Sequence, residues 1–580
     1  MNYLTETFDV VVVGGGLSGI CAAIASARHG AKTALIHNRP VLGGNASSEI
    51  RMHICGADVH GSRANFRETG IVEELQLKNK YRNHYHSYAL FDSVLWEMCS
   101  FEPNLSLYLN THIDCVEVED GKIVSVEGTQ NTTEKTFAFL GDIFIDTTGE
   151  GTVGALAGAE FMYGREDKSA FDEPHALDKA DNFTMGNSLM FVSEDMGKPV
   201  KFEKPFWANT YTEDELNLRH HGDINSGYWW IELGGTDMHI IDDAEKIRDE
   251  LIKAVYGIWD HIKNSGDHGA ENHELTWVGM LPGKRESRRL LGDYVLNETD
   301  CVTSRRFEDA VAYGGWYIDA HAMGGLTAKN DEPTTYLYFD DVYTIPYRSL
   351  VSKNIDNLLL GGRAISASHL AFASSRVMAT CGVVGQAVGT AAAEAIKKGI
   401  MPRDMYDHIK ELQQMLLKDD CYIPSVKNCD EKDLALTSKV TADNEGAEVL
   451  INGVDRTVGD ESNSYVAKLG EKIYFDLDKA KDVSEVILKF DSNLSKEVTI
   501  SIIGHVKAKQ QPGAPCELVK DYSLSFYKDG ECVHQVKVDN NHLRYNRITL
   551  DKAVLCDRVC LEIEATCGCE NPRIFEVRIY

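Results

Sequence analysis

The 580-residue sequence lacks the features of membrane-spanning, secreted and nucleic-acid-binding proteins. No stretch approaches the roughly 20 apolar residues that a membrane-spanning helix needs. The first residues show no basic segment leading into an apolar core, as a signal peptide would. Positive charge is scarce: 59 Lys and Arg against 89 Asp and Glu give a net charge of -30, which disfavours nucleic acid and anionic lipid. We therefore expect a cytoplasmic protein with no membrane and no nucleic acid among its partners.

Cysteine is present, but its spacing is not that of the common cysteine-based sites. The 14 cysteines form no C-x-x-C pair, so an iron–sulfur cluster or a zinc ribbon lacks its usual ligand spacing. One tight group, made of Cys556, Cys560, Cys567 and Cys569, is interpreted as free thiols of a reducing cytosol rather than as a metal site. We expect no metal.

The N-terminal residues have the pattern that opens a parallel, doubly wound sheet. A β-branched strand at 8–13 is followed by a glycine turn, a helix of small residues at 17–29 and a second strand at 33–37. The turn, residues 14–19, reads GGGLSG and fits G-x-G-x-x-G. Its first glycine permits the tight turn, its second lets a pyrophosphate approach the backbone, and its third lets helix and strand pack closely. The sequence therefore predicts a Rossmann-like dinucleotide-binding fold.

The rest of the chain divides into two further parts. The middle mixes Trp- and Tyr-rich strand-like pieces with a helix at 243–263, and a buried strand at 358–360 followed by a helix at 374–398 then resumes the first fold. After Asp420 short alternating segments are typical of an all-β sandwich. The strands predicted there are 472–477, 485–490, 497–503, 522–527, 559–563 and 574–580. We expect a nucleotide-binding domain (1–159 and 347–420), an inserted α+β substrate region (160–346) and a C-terminal β-sandwich (421–580).

Further glycine motifs indicate which dinucleotide is bound. Residues 42–52 read LGGNASSEIRM, residues 148–151 read TGEG, and residues 361–363 read GGR ahead of the small-residue stretch 381–389. Together they resemble FAD domains of the fumarate-reductase and hydroxybenzoate-hydroxylase type, and the FAD-dependent oxidoreductases that carry the LGGNASSEIRM segment. The resemblance covers residues 1 to about 400 and implies FAD as the cofactor. One position departs from the pattern: His37-Asn38-Arg39 stands where a ribose-binding carboxylate is usual, and Asn38 could bind ribose as a neutral partner.

The motifs and the resemblance assign a set of residues to FAD. These are Gly14, Gly16, Leu17, Ser18, Gly19, Asn38, Arg39, Gly43, Gly44, Asn45, Ala46, Ser47, Arg51, Ile113, Thr148, Gly149, Gly362, Arg363, Gly385 and Gln386.

Five residues are candidates for the chemistry. His369 and Arg376 flank the closing motif, which in related flavoproteins borders the isoalloxazine ring. Asp319 and His321 would share one face of a strand, and an oriented imidazole is what a base requires. His53 is placed on a strand face with Arg51, and a covalent link from His53 to FAD is left open. The neighbouring arginines 285, 288 and 289 are expected to pair with acids rather than to bind substrate.

These features predict an FAD-dependent oxidoreductase that transfers hydride between the flavin and a small organic substrate. A sugar-derived substrate is favoured because the ends of the C-terminal sandwich resemble a discoidin or galactose-binding-like module. A redox-neutral FAD-dependent lyase and a non-enzymatic carbohydrate-binding protein with a relic flavin remain alternatives. Residues 160–580, the middle and C-terminal regions, hold no second G-x-G-x-x-G motif, so NAD(P)H lacks a fold of its own there. The external electron acceptor or donor and a homo-oligomeric state are left open.

Overall fold

A computed structural model describes residues 2–265 and 268–580. The N-terminal part begins with a strand, a glycine turn and a helix, as the sequence predicts. Its elements are β1 (Asn2–Val13), α1 (Leu17–Arg28), β2 (Thr33–Ile36), α2 (Ile71–Arg82), α3 (Tyr88–Ser100), β3 (Leu105–Tyr108), β4 (Thr111–Glu119), β5 (Lys122–Gln130), β6 (Lys135–Asp146) and α4 (Thr152–Leu156).

The middle part consists of short strands and one long helix. Its elements are β7 (Phe161–Met162), α5 (Lys168–Phe171), β8 (Asn187–Ser188), β9 (Phe191–Asp195), β10 (Ser226–Gly227), β11 (Glu232–Leu233), α6 (Ala244–Asp260), β12 (His273–Val278), β13 (Gly283–Lys284), β14 (Arg289–Leu290), α7 (Glu298–Val302), β15 (Ala310–Gly314), β16 (Ile318–His321), β17 (Thr334–Leu337) and β18 (Tyr343–Pro346). Helix α6 continues into a π-helical turn, His261–Ser265. Its apolar face packs into a separate core with Trp230 and Trp259.

The chain then returns to the first sheet and ends in a β-rich region. The remaining elements are β19 (Leu358–Leu360), α8 (His369–Ser375), α9 (Met378–Lys398), α10 (Ile409–Lys418), β20 (Lys439–Thr441), β21 (Tyr465–Val466), β22 (Lys472–Phe490), α11 (Gly504–Ala508), β23 (Val519–Lys528), β24 (Glu531–Val538), β25 (Tyr545–Thr566) and β26 (Arg573–Ile579).

The first sheet has the parallel core that the sequence predicts. Its parallel strands follow the order β3-β2-β1-β6, with β19 paired to β6, and antiparallel β5 and β4 extend the sheet. Strand β1 starts six residues earlier than predicted, at Asn2 rather than Phe8, because its first half pairs in parallel with the first half of β6. The Rossmann-like α/β fold is confirmed.

Small residues let two helices of this fold pack at close range. A Cβ on Gly385 of α9 would lie 2.1 Å from the Ser18 carbonyl oxygen of α1, and a Cβ on Gly389 would lie 2.1 Å from that of Ala22. The predicted helix 374–398 is interrupted, because Val377 has an extended backbone and separates α8 from α9. Within 2–265 and 268–580, no helix is long and apolar enough to cross a membrane. The expected cytoplasmic location stays a prediction.

The C-terminal region is an all-β sandwich, as predicted. Its strands are antiparallel and run in the order β21-β26-β22-β25-β23-β24, with β20 beside β22. The long strands β22 and β25 pair along both their halves, with shifts of register between the halves. One apolar core includes Phe475, Leu488 and Phe526.

One strand predicted in the sandwich does not form. Residues 497–503 are extended without strand pairing, because they leave the sandwich and lie against the N-terminal half of the chain. The Ile54 amide donates to Thr499 Oγ1 at 3.0 Å, and Ser226 Oγ donates to the Ile502 carbonyl oxygen at 2.6 Å. The side chains from Val498 to Ile503 are all buried. Val498 stays in the core of the sandwich, whereas Ile500, Ile502 and Ile503 join the core of the N-terminal part. The exact domain boundaries stay a prediction.

Candidate functional site

A cavity of about 620 Å³ lies at the carboxyl ends of β1, β2, β6 and β19. Val13, Ile36, Thr147 and Gly362 stand at those strand ends and line it. In open parallel α/β sheets, ligands bind outside the carboxyl ends of the strands. The cavity continues past the glycine turn to β16 in the middle region. It is therefore the candidate site for both a dinucleotide and a second, reacting molecule.

Most of the residues that the sequence assigns to the dinucleotide line this cavity. They are Gly14, Gly16, Leu17, Ser18, Asn38, Arg39, Gly43, Gly44, Asn45, Ser47, Ile113, Thr148, Gly149, Gly362 and Arg363.

Two of the assigned glycines lie outside the cavity and serve packing instead. A Cβ on Gly19 would lie 1.7 Å from the Gly14 carbonyl oxygen, so only glycine lets α1 approach the turn. Gly385 has the corresponding role between α1 and α9, described above. Gly19 and Gly385 therefore allow close packing of the elements beneath the cavity and do not line it.

Three other assigned residues also lie away from the cavity. The Gln386 side-chain oxygen accepts the Ile71 amide at 2.8 Å, and its amide group donates to the Asp419 carbonyl oxygen at 3.1 Å. Ala46 is buried in a short 3-10 turn. Arg51 has φ of 66°, is not part of a strand, and stacks its guanidinium 4.2 Å from the centre of the Trp277 ring. The strand face that Arg51 was expected to share with His53 is therefore not formed.

The glycine turn fits a bound dinucleotide. Gly16 caps α1 without a side-chain hydrogen bond, and a Cβ placed on it would have no protein atom within 4 Å, so its side faces open space. Ser18 Oγ and Arg363 Nε are buried and have no hydrogen-bond partner among the described residues. A helix N-terminus with free N–H groups, a hydroxyl and a guanidinium suits a pyrophosphate. His37, whose pKa burial lowers to about 4, accepts the Gly15 amide at Nδ1 at 2.9 Å and so braces the turn as a neutral ring.

The far end of the cavity holds a histidine between two carboxylates. His321 Nδ1 lies 2.7 Å from Glu232 Oε2, and His321 Nε2 lies 3.4 Å from Asp319 Oδ2. Asp319 and His321 share one face of β16, as the sequence predicts, and both line the cavity. Trp229 meets the His321 ring edge to face at 5.1 Å. An imidazole held in this way has a fixed orientation.

Two arginines balance the carboxylates. Arg376 Nη2 lies 3.1 Å from Asp319 Oδ2, and Arg285 Nη1 lies 3.3 Å from Glu232 Oε2. Burial by itself would raise the pKa of Asp319, but His321 and Arg376 outweigh it and hold that pKa well below its usual range. Burial also opposes ionisation of Glu232, and Arg285 with His321 lowers its pKa below the ordinary value. Both acids are therefore held as carboxylates.

A second group on the cavity wall joins His53 to residues that the sequence did not single out. His53 Nε2 lies 3.3 Å from His60 Nε2, Cys55 Sγ lies 3.9 Å from His60 Nε2, and His60 Nδ1 lies 2.9 Å from Glu497 Oε1. Burial raises the pKa of the Cys55 thiol, but His53 and His60 outweigh it and bring the pKa to about 6. Burial lowers the pKa of His60, and Cys55 with Glu497 raises it to about 11. These groups form a thiolate–imidazolium pair.

His369 lies outside the cavity, unlike the other four catalytic candidates. Its ring is buried, and its Nδ1 lies 2.8 Å from Glu286 Oε1. Arg289 joins the same buried group through Glu166, at 2.8 Å. His369 lies outside the cavity because it is the first residue of α8, where its side chain is directed toward the buried Glu286. The structure thus gives His369 no contact with the site, while Asp319, His321, Arg376 and His53 line it.

Several site residues carried no signal in the sequence. Glu232 lies 89 positions from His321 and stands in a two-residue strand, so no local spacing indicates it. Arg285 was expected to form an ion pair with an acid, and it does so with Glu232. Glu232 in turn orients His321 at the cavity wall. Ile503, His505 and Val506 reach the cavity from the C-terminal region.

Solved structures similar to part of this chain include several carbohydrate-binding modules. A family 32 carbohydrate-binding module from Streptococcus pneumoniae EndoD aligns at 18% identity and a TM-score of 0.21, over 26% of this chain and 98% of the module. A fucose-binding module from the same organism aligns at 13% identity and 0.20, over 26% and 96%. The family 32 module of C. perfringens NanJ, in complex with galactose, aligns at 14% identity and 0.18, over 25% and 96%.

The family model described as FAD dependent oxidoreductase matches residues 9–416. This match spans well over half of the chain and includes the glycine turn, the strand ends around the cavity and the residues of its far end. The protein belongs to the FAD-dependent oxidoreductases, and its cofactor is FAD.

Proposed function

We propose that the protein oxidises a hydroxyl group of a small, sugar-derived substrate, with His321 as the base. The observation that carries this proposal is the orientation of His321 between Glu232 and Asp319 at the cavity wall. When bound, FAD supplies the two-electron acceptor that takes a hydride from the substrate carbon. The matching proton leaves the substrate oxygen and needs an acceptor within hydrogen-bond reach.

The hydrogen bonds around His321 select the atom that accepts this proton. With Nδ1–H donated to Glu232 Oε2 at 2.7 Å, Nε2 carries the free lone pair. Proton uptake at Nε2 turns its 3.4 Å contact with Asp319 Oδ2 into an attraction between opposite charges. The two carboxylates therefore stabilise the protonated ring, as a buried acid does in catalytic triads. Arg376 and Arg285 keep both acids ionised.

The wall near His321 supports a small polar substrate with an apolar face. Trp229 and Tyr336 offer aromatic surface, and Arg376 offers donors toward the same space. A sugar ring presents C–H groups to an aromatic face and hydroxyls to charged groups, which matches this combination.

The origin of the site residues supports the proposed domain division. Residues assigned to FAD come from 1–159 and 347–420, whereas Glu232, Arg285, Asp319 and His321 come from the inserted region 160–346. We propose that the first part holds the cofactor and the inserted part holds the substrate. The C-terminal region 421–580 closes one wall through α11 and the segment before it.

The test is a screen of sugars and glycosides for anaerobic bleaching of the flavin, with enoates screened separately for reoxidation of the chemically reduced flavin. A sugar or glycoside alcohol is expected to bleach it, and His321→Gln is expected to slow that reduction by on the order of 10²- to 10⁴-fold with FAD retained. His408→Gln, at an exposed ion pair far along the chain, is the matched control. Bleaching of His321→Gln at the wild-type rate would contradict the assignment of the base. Rapid reoxidation of the reduced flavin by an enoate, with no bleaching by any sugar or glycoside, would contradict the substrate class.

A further inference from the structure

Three histidines and one glutamate come together in the middle region, beside the end of α6. They are Glu213, His221, His261 and His268, and one possible ligand atom from each lies within 4.8 Å of all the others. None of them lines the cavity described above. We propose that these four side chains bind one zinc-class divalent cation, which departs from the absence of metal expected from the cysteine spacing.

The distances match a tetrahedral site. A tetrahedral zinc ion with ligand distances of about 2.0–2.1 Å places its ligand atoms roughly 3.3 Å from one another. Glu213 Oε2 lies 2.9 Å from His261 Nε2, 3.4 Å from His221 Nε2 and 3.8 Å from His268 Nε2. The Nε2 atoms of His261 and His268 are 3.3 Å apart. These four distances between possible ligand atoms lie close to the roughly 3.3 Å expected for a tetrahedral site.

A hydrogen bond on the far side of His221 fixes its tautomer. His221 Nδ1 lies 2.5 Å from the Arg219 carbonyl oxygen, an acceptor only, so Nδ1 carries the proton and Nε2 carries a lone pair. That lone pair faces the Glu213 carboxylate at 3.4 Å. A divalent cation can bind both of these atoms at once. A histidine anchored through its second nitrogen to a backbone carbonyl is the usual arrangement of a metal ligand.

The cluster is mostly enclosed by the fold. His221 and His261 are 8% and 4% exposed, and the Nε2 atoms of His261 and His268 face each other at 3.3 Å. One divalent cation would take all three rings and the Glu213 carboxylate as its ligands. Glu213, whose side chain is 66% exposed, leaves the site accessible to an ion from solvent.

Four protein ligands make a closed site of the structural kind. The site would join the loop at 213–221 to the end of α6 and to His268. That loop supports the cavity wall: the His221 carbonyl oxygen accepts from Tyr228 Oη at 2.9 Å, and the His220 carbonyl oxygen accepts from Trp230 Nε1 at 3.0 Å. These two aromatic residues flank Trp229, which lines the cavity. The ion would therefore fix the position of the substrate wall without entering the reaction.

Zinc content of the FAD-loaded protein tests the site. After growth with added zinc and removal of loosely held metal, we expect one zinc per chain, retained in His239→Gln, an exposed control in the same region. We expect Glu213→Gln, a change at an exposed side chain that the fold tolerates, to weaken zinc binding by more than about 100-fold, because even loss of an outer-shell partner costs roughly 10- to 100-fold. His221→Gln and His261→Gln should do the same.

X-ray absorption at the zinc edge separates this cluster from the group at Cys55. The proposed site gives a shell of nitrogen and oxygen at about 2.0–2.1 Å, whereas a site at His53, Cys55 and His60 would add sulfur at about 2.3 Å. Zinc with a sulfur neighbour, zinc that survives all three substitutions, or a protein that takes up no zinc each overturns the proposal. None of these outcomes bears on the proposed proton transfer to His321, which flavin bleaching tests separately.

Discussion

His321 and Glu232 lie 89 residues apart in the sequence, yet His321 Nδ1 and Glu232 Oε2 are 2.7 Å apart in the fold. Glu232 also accepts the Gly186 amide at 2.6 Å and pairs with Arg285, so its position is fixed from three sides. In the proposed reaction this carboxylate acts on the substrate through His321. It is a positioning residue for the proposed base.

Glu232→Gln tests that role. The amide keeps the size of the side chain but no longer stabilises a protonated His321, so we expect turnover to fall by on the order of 10²- to 10⁴-fold, as when the acid of a catalytic triad becomes an amide. The flavin should stay bound. Turnover measured against pH should also show a changed profile, because the neighbour of the titrating ring has lost its charge. An unchanged rate and profile would show that Glu232 only supports the fold.

Gly16→Val tests the placement of FAD. No protein atom lies within 4 Å of a Cβ at Gly16, so the chain can fold with valine there, but the methyl groups would occupy the space of the pyrophosphate. We expect folded protein with little flavin, measured by absorbance and by FAD released on denaturation. Gly121→Asn, in an exposed turn with φ of 78° that asparagine accepts, is the control and should keep its FAD. Full occupancy in Gly16→Val would refute the site.

The Cys55 thiol should react at unusually low pH. Its pKa is lowered from 9.0 to about 6, so the thiolate predominates above that pH and is lost below it. Alkylation of Cys55 by iodoacetamide, followed by mass spectrometry of its peptide, should therefore reach a plateau by about pH 7. His60→Gln removes one of the two imidazoles that stabilise the thiolate and should move the plateau to higher pH. A rate that keeps rising to pH 9 in the unsubstituted protein would contradict the thiolate–imidazolium pair.

Lys489 should contribute strongly to stability. Its Nζ is fully buried and lies 2.9 Å from Asp455 Oδ2 and 2.9 Å from Glu576 Oε2. Lys489→Met leaves two buried carboxylates without this partner, and we expect a loss of about 3–5 kcal/mol in the free energy of unfolding in urea. Lys472→Met, on the same strand but in a half-exposed pair at 3.7 Å, is the control and should lose far less stability, because solvent screens an exposed ion pair. Equal effects of the two changes would contradict the buried pair.

Reduced pyridine nucleotides should be poor electron donors. FAD accounts for the glycine-turn motif, and hydride transfer needs the nicotinamide held at about 3–3.5 Å from the flavin. Anaerobic stopped-flow mixing with NADH and NADPH should show slow flavin reduction, without saturation. Rapid and saturable bleaching by either nucleotide would move the protein toward the reductases or monooxygenases.

The cofactor fold was predictable because its signals are local. Strand, glycine turn and helix follow one another within residues 2–28, and Gly19 packs against the Gly14 carbonyl oxygen five positions away. The same holds for Asp319 and His321, two positions apart on β16. His369 is close to the flavin motif in sequence, but its ring pairs with Glu286. Closeness in sequence therefore did not predict the direction of its side chain.

The sequence by itself thus determined the dinucleotide fold, the identity of the cofactor through its glycine motifs, and the alternating strands of the C-terminal sandwich. The tertiary structure decided which groups meet. It brought Glu232 to His321, joined Glu497 to His60, and gathered Glu213 with three histidines. It also placed residues 499–503 against the N-terminal half of the chain, where Ile503 lines the cavity. The physical reason is that periodicity and turn chemistry act over a few residues, whereas these contacts depend on how distant segments pack to bury their apolar faces.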